Sequence, residues 1–463
     1  MTNQIQTARW WQAPVTRIAG MTVGLLIAVG LTQIIQARLE GLSHFVIGGV
    51  IAILPAALWL TIFYFQNRAL TPPKAMVKEV FIASILLAAA VGVPLVRSMF
   101  RIQDWFDLSV LHEALGAILI VGVTQEFLKF AAVRWTVYPT EHFREHLDGI
   151  LFAVVASLGY TTVLNLYYVY DNPSLDLAVG VIRVTITTLS QAAFASVLGY
   201  FLGRAKFEGN DIVQLPKGLA LAALLNGIFT FGRDQVNRNF EINLLSSLLI
   251  VIAFAAIVLP GIFVLMQRAA MQPPRKILET RSDRSVAWVL IGITLVALGA
   301  GWYVKNSAEN RTRAFQSTAN GISLMFPAYW SQGSEEGALV AFSDPRGSTT
   351  FVSRVVVTAR DSEGKDSAAL ARDWSFELNQ RLKDFRVVTI APTAQGTSIR
   401  YAFVADPRAG MDMSASVPVV VIGEDVLWLK GQKLFIFSRQ GDATAFARLE
   451  NIWRNLLASV RLD

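Results

Sequence analysis

Nine apolar runs dominate the chain, each close to the roughly 20 residues that a helix needs to cross a bilayer. They lie at about 17–36, 45–66, 77–98, 109–134, 147–170, 177–203, 217–232, 243–267 and 286–304. A chain built this way has few folds open to it. In hydrocarbon each segment must satisfy its own backbone polar groups, so the runs are expected to be helices. Composition agrees: 53% of the 463 residues are hydrophobic and only 16% are charged, the balance of a membrane protein. The first run is long and lacks a small-residue cleavage site, so it is expected to stay as an anchor.

The net charge of +7 reads as topology, not as a nucleic-acid surface. With the N-terminus inside, fifteen Lys and Arg, from Arg9 to Arg284, fall near inner segment ends. Five fall near outer ends: Arg38, Arg97, Arg101, Arg233 and Arg238. The positive-inside rule then predicts a cytoplasmic N-terminus in the cell membrane. Nine crossings put the C-terminal portion outside. The chain has no cysteine, which excludes thiol chemistry and a disulfide framework for the exported part.

Composition changes after residue 304. From 313 to 463 the sequence alternates polar and apolar residues. Strands are expected at 322–326, 339–342, 350–358, 385–390, 398–404, 417–422 and 426–438, rich in β-branched and aromatic residues and bounded by turn formers. The pair "GQ" at 431–432 is expected to turn the last run into two strands. Leu370, Trp374, Leu378 and Leu382 recur at helical spacing, as do Phe446, Leu449, Trp453, Leu456 and Val460. The expected architecture is a polytopic helical bundle of about nine crossings, followed by a soluble α+β domain with an antiparallel sheet. Its parts are three N-terminal helices (1–108), a core (109–268), a basic linker with the ninth helix (269–304) and the exported domain (313–463).

Intramembrane polar residues are functional candidates by default. The fourth run carries Gln125, Glu126 and Lys129 in "TQEFLKF". Glu126 and Lys129 share a helix face and can pair. The fifth run brings Asp148 at its entry and Asn165 deep within it. The sixth brings Arg183, Ser190 and Gln191, and the seventh Asn226. Hydrogen bonding between helices explains any one of these, and a shared polar cavity explains all of them together. "HFREH" (142–146) fits the H-x-x-E-H zinc pattern. A zinc site needs three protein ligands, and no third follows. The other histidines, His44 and His112, lie near the opposite membrane face. No metal and no cofactor are expected.

The block from 125 to about 231 resembles the PrsW family of intramembrane proteases, relatives of the CAAX-prenyl protease group. The resemblance rests on Glu126 and Lys129, Asp148-Gly149-Ile150, Gly159, Asn165, Arg183 and "GYFLGRA" (199–205). It implies an enzyme that cleaves membrane-anchored regulators. In the family pattern a second Glu stands where this chain has Gln125, and another Glu where it has Leu164. Histidines are expected where it has Gln191 and Asn226. Glu145 stands where the family often has an acid before Asp-Gly. Gln and Asn cannot serve as general bases, so the expectation is a degenerate relative that binds single-span membrane proteins. Two alternatives stay open. One is an active peptidase working through Glu126 with Lys129 and Glu145. The other is a membrane scaffold or transporter-like protein. "NGISLMFPAYW" (320–330) resembles the start of PsbP/Mog1/DcrB-type domains, which implies that the tail binds an extracytoplasmic protein or ligand. No nucleic-acid partner is expected.

Overall fold

The computed structural model describes residues 41–66, 74–172, 177–239, 260–262, 264–271, 284–344, 351–393, 396–405 and 418–462. They form two compact units. One comprises 1–103 with 109–305, the other 104–108 with 306–463.

The first unit is helical. Its elements are α1 (Gly41–Gln66), α2 (Lys74–Leu87), α3 (Val110–Trp135), α4 (His146–Tyr170), α5 (Leu177–Glu208), α6 (Asp211–Asn239) and α7 (Arg284–Glu309). Each of the seven, α2 together with its continuation to Asp104, contains a stretch long and apolar enough to cross a membrane, so seven such helices stand among the described residues. The run expected at 17–36 lies outside the described residues. So does the one at 243–267, apart from helical pieces at 260–262 and 264–267. Two helices depart from simple α geometry. Beyond Leu87, α2 continues through π-helical stretches at Ala88–Gly92 and Pro94–Met99, and α3 contains another at Ala117–Gly122. Hydrophobic periodicity does not register these, because every side of the segment is apolar.

Helix α4 is the centre of the bundle, and 94% of its most apolar window is buried. Its sequence is apolar on every side, as a helix surrounded by other helices must be. Small residues set its distance to its neighbours. A Cβ on Gly149 would sit 2.3 Å from the Gly199 carbonyl oxygen, and one on Gly159 would sit 2.4 Å from that of Phe81. Backbones this close exclude any larger residue. By contrast α7 exposes Trp288, Leu295, Val296 and Tyr303, with aromatics toward both ends as at a bilayer interface.

The second unit is an α+β domain. A three-stranded sheet joins β1 (Thr312–Ser317), β2 (Ile322–Pro327) and β10 (Arg461–Leu462). A seven-stranded antiparallel sheet contains β3 (Ser331–Gly333), β4 (Val340–Ser343), β5 (Arg354–Asp361), β6 (Arg386–Thr393), β7 (Gly396–Ala405), β8 (Val419–Lys430) and β9 (Lys433–Asp442). Its strand order is β3-β4-β5-β9-β8-β7-β6. Helix α8 (Ser367–Arg381) packs Leu370, Trp374 and Leu378 with Tyr401 and Leu434. Helices α9 (Ala443–Arg448) and α10 (Glu450–Ser459) follow β9, and Trp453 and Leu456 join Phe326 and Phe342 in a second core.

Two expectations for this domain need correction. The strand expected at 417–422 and the first half of 426–438 are one strand, β8. "GED" at 423–425 does not turn the chain, since Gly423 lies under the Tyr401 ring and Asp425 faces into the domain. The terminal helix expected across 443–461 is two helices that meet at Leu449. The "GQ" turn separates β8 from β9 with Gly431 at φ 61°, a backbone shape that favours glycine.

Candidate functional site

The fourth run places three polar side chains on one helix within five residues. Gln125, Glu126 and Lys129 are all buried, the last two completely. Helix α3 begins with the Ser109 hydroxyl accepting from the His112 backbone N–H, and its π-helical stretch ends at Gly122. That glycine lets α6 come close. A Cβ there would sit 2.2 Å from the Ala223 carbonyl oxygen, and a Cβ on Gly227 would sit 2.5 Å from the Ile118 Cα. Asn226, the neighbour of Gly227, is thereby pressed against Gln125 and Glu126. Gln191 arrives from α5.

The result is a closed hydrogen-bonded ring. Lys129 Nζ donates to Glu126 Oε1 at 2.5 Å and to Gln191 Oε1 at 2.8 Å. Gln191 Nε2 donates to Gln125 Oε1 at 2.9 Å and to Asn226 Oδ1 at 3.3 Å. Asn226 Nδ2 donates to Gln125 Oε1 at 3.0 Å and to Glu126 Oε1 at 2.7 Å. Glu126 Oε2 is buried and accepts no hydrogen bond. It is the open acceptor of the ring.

The other residues singled out in the sequence do not join this ring. Asn165 donates to Thr188 Oγ1 at 3.2 Å and to the Ala52 carbonyl at 3.4 Å, stapling α4 to α5 and α1. Ser190 bonds the backbone of its own helix. Arg183 lies over the Tyr168 ring, 5.2 Å from its centroid. Leu164 packs with Leu128, Tyr160 and Val163. Glu145 caps α4, and Asp148 accepts the backbone N–H groups of Arg144 and Glu145 at 2.7 and 2.9 Å. Trp135, at the end of α3, lies nine residues beyond Glu126, or about 14 Å at 1.5 Å per residue. The helix-entry acids therefore serve the entry, and the single shared cavity expected from four helices is a ring built by three.

His142 Nδ1 is buried without a hydrogen bond, and His146 Nε2 lies 3.7 Å from Glu208 Oε1. Among the described residues no group of three or more His, Cys, Asp or Glu comes close enough to hold a metal ion.

Two further buried acids went unremarked in the sequence. Glu113, in the first turn of α3, accepts from Gln235 Nε2 at 2.6 Å. Asp425 is fully buried beside a cavity of about 220 Å³ in the sheet domain. Asp425 accepts from Trp374 Nε1 at 2.6 Å and from the Tyr401 hydroxyl at 3.0 Å. Gln440 Nε2 reaches Tyr401, and Arg354 reaches Gln440 and Glu335. Burial pushes the Asp425 carboxyl up from 3.8 to about 6, against the hydrogen bonds of Trp374, Ser438 and Tyr401. A signal existed for each: Glu113 is an acid within an apolar run, and Asp425 shares the inward phase of Val421 and Leu427.

Comparison with known proteins bears on the helical unit. Residues 72–259 match the family described as PrsW family intramembrane metalloprotease. Protease PrsW of Halalkalibacterium halodurans is 31% identical over 179 residues, covering 38% of this chain and 79% of the relative. Protease PrsW of Oceanobacillus iheyensis is 28% identical over 180 residues, covering 39% and 79%. That of Bacillus subtilis is 27% identical over 187 residues, with the same coverage. Among solved structures, the yeast Ran-binding protein Mog1p has a TM-score of 0.25 at 8% identity, covering 33% of this chain and 95% of its own. Cyanobacterial PsbP from Synechocystis has a TM-score of 0.23 at 11% identity, covering 33% and 92%.

The family description implies a metal, and the ring does not fit one. Its members are one carboxylate, three carboxamides and one ammonium, with no imidazole or thiolate. Zinc takes Cys, His and carboxylate ligands. Here most of the oxygens that face inward already accept N–H groups, two of them from Lys129.

Proposed function

The chain belongs to the PrsW family of intramembrane proteases, and from that premise we propose that this member binds single-span membrane proteins in its helical core without cutting them. The observation that carries the reading is the ring around Glu126. A general base must be free to take a proton near the working pH. Glu126 Oε1 already accepts from an ammonium at 2.5 Å and an amide at 2.7 Å. Gln125, Gln191 and Asn226 are amides, which donate and accept hydrogen bonds but do not exchange protons as acids or bases. The acceptor left open at Glu126 Oε2 can take an N–H from a strand or an unwound helix, whose backbone donors need partners in the membrane.

In this reading the protein sits in the cell membrane with a cytoplasmic N-terminus. The sheet domain lies outside as the sensing part of a signalling pseudoenzyme, and its cavity beside Asp425 takes an extracytoplasmic ligand or protein segment. One observation favours a second reading. Glu126 Oε2 is open, and a water held there would make a glutamate-dependent peptidase.

The test is co-expression with a panel of single-span membrane proteins, scored for crosslinking and for cleavage. Wild type, Glu126→Ala and Gln125→Glu combined with Asn226→His are compared. Wild type is expected to crosslink partners and leave them whole. Cleavage by wild type that Glu126→Ala abolishes would establish the second reading. Failure of both wild type and the restored variant to crosslink any single-span protein would refute the binding role.

A further inference from the structure

We infer that the Lys129 ammonium is the resident cation of the ring and that the ring is closed to a divalent metal ion. The inference deepens the reading above, yet the two can fail separately.

Charge comes first. The five ring side chains carry one negative charge, on Glu126, and one positive charge, on Lys129, so the site is neutral as it stands. Both groups are wholly buried. A divalent ion would leave the ring with two uncompensated positive charges in a medium where isolated charge is strongly disfavoured. The ion would also meet the ammonium across a few ångströms.

Lone pairs come second. Gln191 Oε1 accepts from Lys129 Nζ, while Glu126 Oε1 accepts from Lys129 Nζ and Asn226 Nδ2. Gln125 Oε1 accepts from Gln191 and Asn226, and Asn226 Oδ1 accepts from Gln191. Glu126 Oε2 accepts none, and Gln191 Oε1 and Asn226 Oδ1, with one bond each, keep one lone pair apiece. A metal seated among these three oxygens would have one carboxylate and two carboxamides, with none of the imidazole or thiolate ligands that hold zinc, and it would lie against the ammonium that bonds Glu126 and Gln191. Recruiting Glu126 Oε1 or Gln125 Oε1 as well would break a hydrogen bond from Lys129, Gln191 or Asn226.

The elements reinforce this. Gly122 and Gly227 hold α3 and α6 at backbone contact, which keeps Asn226 beside Gln125 and Glu126. The ring is therefore a locked polar pin between α3, α5 and α6, organised around its own ammonium.

The experiment uses purified full-length protein in detergent. It reads bound metal by mass spectrometry and stability as the fraction that stays monodisperse on heating. Wild type is expected to carry zinc no higher than the detergent blank, with no change in melting temperature on adding zinc or a chelator. Lys129→Met is expected to lower the melting temperature sharply. Adding Glu126→Gln to Lys129→Met is expected to restore most of that loss, because removing both charges of a buried pair is far milder than removing one. If Lys129→Met does not accumulate, recovery of yield in the double variant reads the same effect. Wild-type metal content stands apart from either variant.

Stoichiometric zinc in wild type, lost in Glu126→Gln, would overturn the inference. So would a double variant less stable than Lys129→Met alone, since Glu126 would then be holding something other than Lys129. Cleavage by a metal-free wild type would sink the non-cutting role and leave this inference intact. A metal-loaded wild type that binds partners without cutting them would do the reverse.

Discussion

Glu126 in the helical unit and Asp425 in the sheet unit are both fully withdrawn from solvent, and they meet that cost in opposite ways. Glu126 has a cation at 2.5 Å on its own helix. Asp425 has only neutral donors, from Trp374, Tyr401 and Ser438. Opposite charge makes the first a fixed ion pair. Neutral donors leave the second poised to gain or lose a proton, with its carboxyl pushed up to about 6 by burial. One buried acid is thus spoken for, and the other is a group that can still respond to its surroundings.

The largest effect should come from breaking the first arrangement. Glu126→Ala strands the Lys129 ammonium in the bundle and is expected to cost about 3–5 kcal/mol, the range for removing one partner of a buried pair. Thermal unfolding of the full chain in detergent measures it. A loss below about 1 kcal/mol would mean that the ammonium finds another partner and that the ring is not locked.

Next in size is the pH response of Asp425. Its folded pKa lies above its ordinary value, so the folded state holds the proton while the unfolded chain gives it up. The contribution is fully present below pH 3.8 and is lost as pH rises to about 6, a change on the order of 3 kcal/mol. Hydrogen exchange of β8 and α8 in the full chain, wild type against Asp425→Asn, isolates this from other carboxylates. The wild type should lose protection across that window and the variant should not. Equal slopes in the two would remove the contrast between the two acids.

Trp374→Phe tests the neutral donors by themselves. It deletes one N–H aimed at Asp425 and is expected to cost about 1–3 kcal/mol. Because that hydrogen bond lowers the carboxyl's pKa, its loss should also move the pH window above 6. A cost with no movement of the window would assign Trp374 to packing with Leu370 and Leu378.

What could be read beforehand divides along the same line. In the helical unit, run length and hydropathy located the elements, and "QEFLK" marked the ring. Those signals do not say which helix faces which. Asn165, Gln191 and Asn226 look alike in sequence, an amide in an apolar run. Only the close approach at Gly122 and Gly227 brings Asn226 to Glu126, while Asn165 faces α1. The π-helical stretches in α2 and α3 leave no periodic trace in segments apolar all round. In the sheet unit alternation locates most strands, but "GED" falls between two expected strands and lies within one. Its parity, Val421, Gly423, Asp425 and Leu427 all inward, was the better guide, and it would have flagged the buried acid. Short strands such as β3 and β10 are set by their partners, with too few residues to carry a pattern of their own.

The smallest expected effect sharpens the comparison within the membrane itself. Asn165 is as buried as the ring, yet it makes only two neutral hydrogen bonds, at 3.2 and 3.4 Å, and no charge depends on it. Hydrogen bonds between membrane helices average about 0.6 kcal/mol, so Asn165→Ala should lower stability by roughly that amount. Partner crosslinking by the ring should be unchanged. If Asn165→Ala instead weakens crosslinking as much as Gln191→Ala does, α4 contributes to the binding surface. The ring of three helices would then be only part of the site.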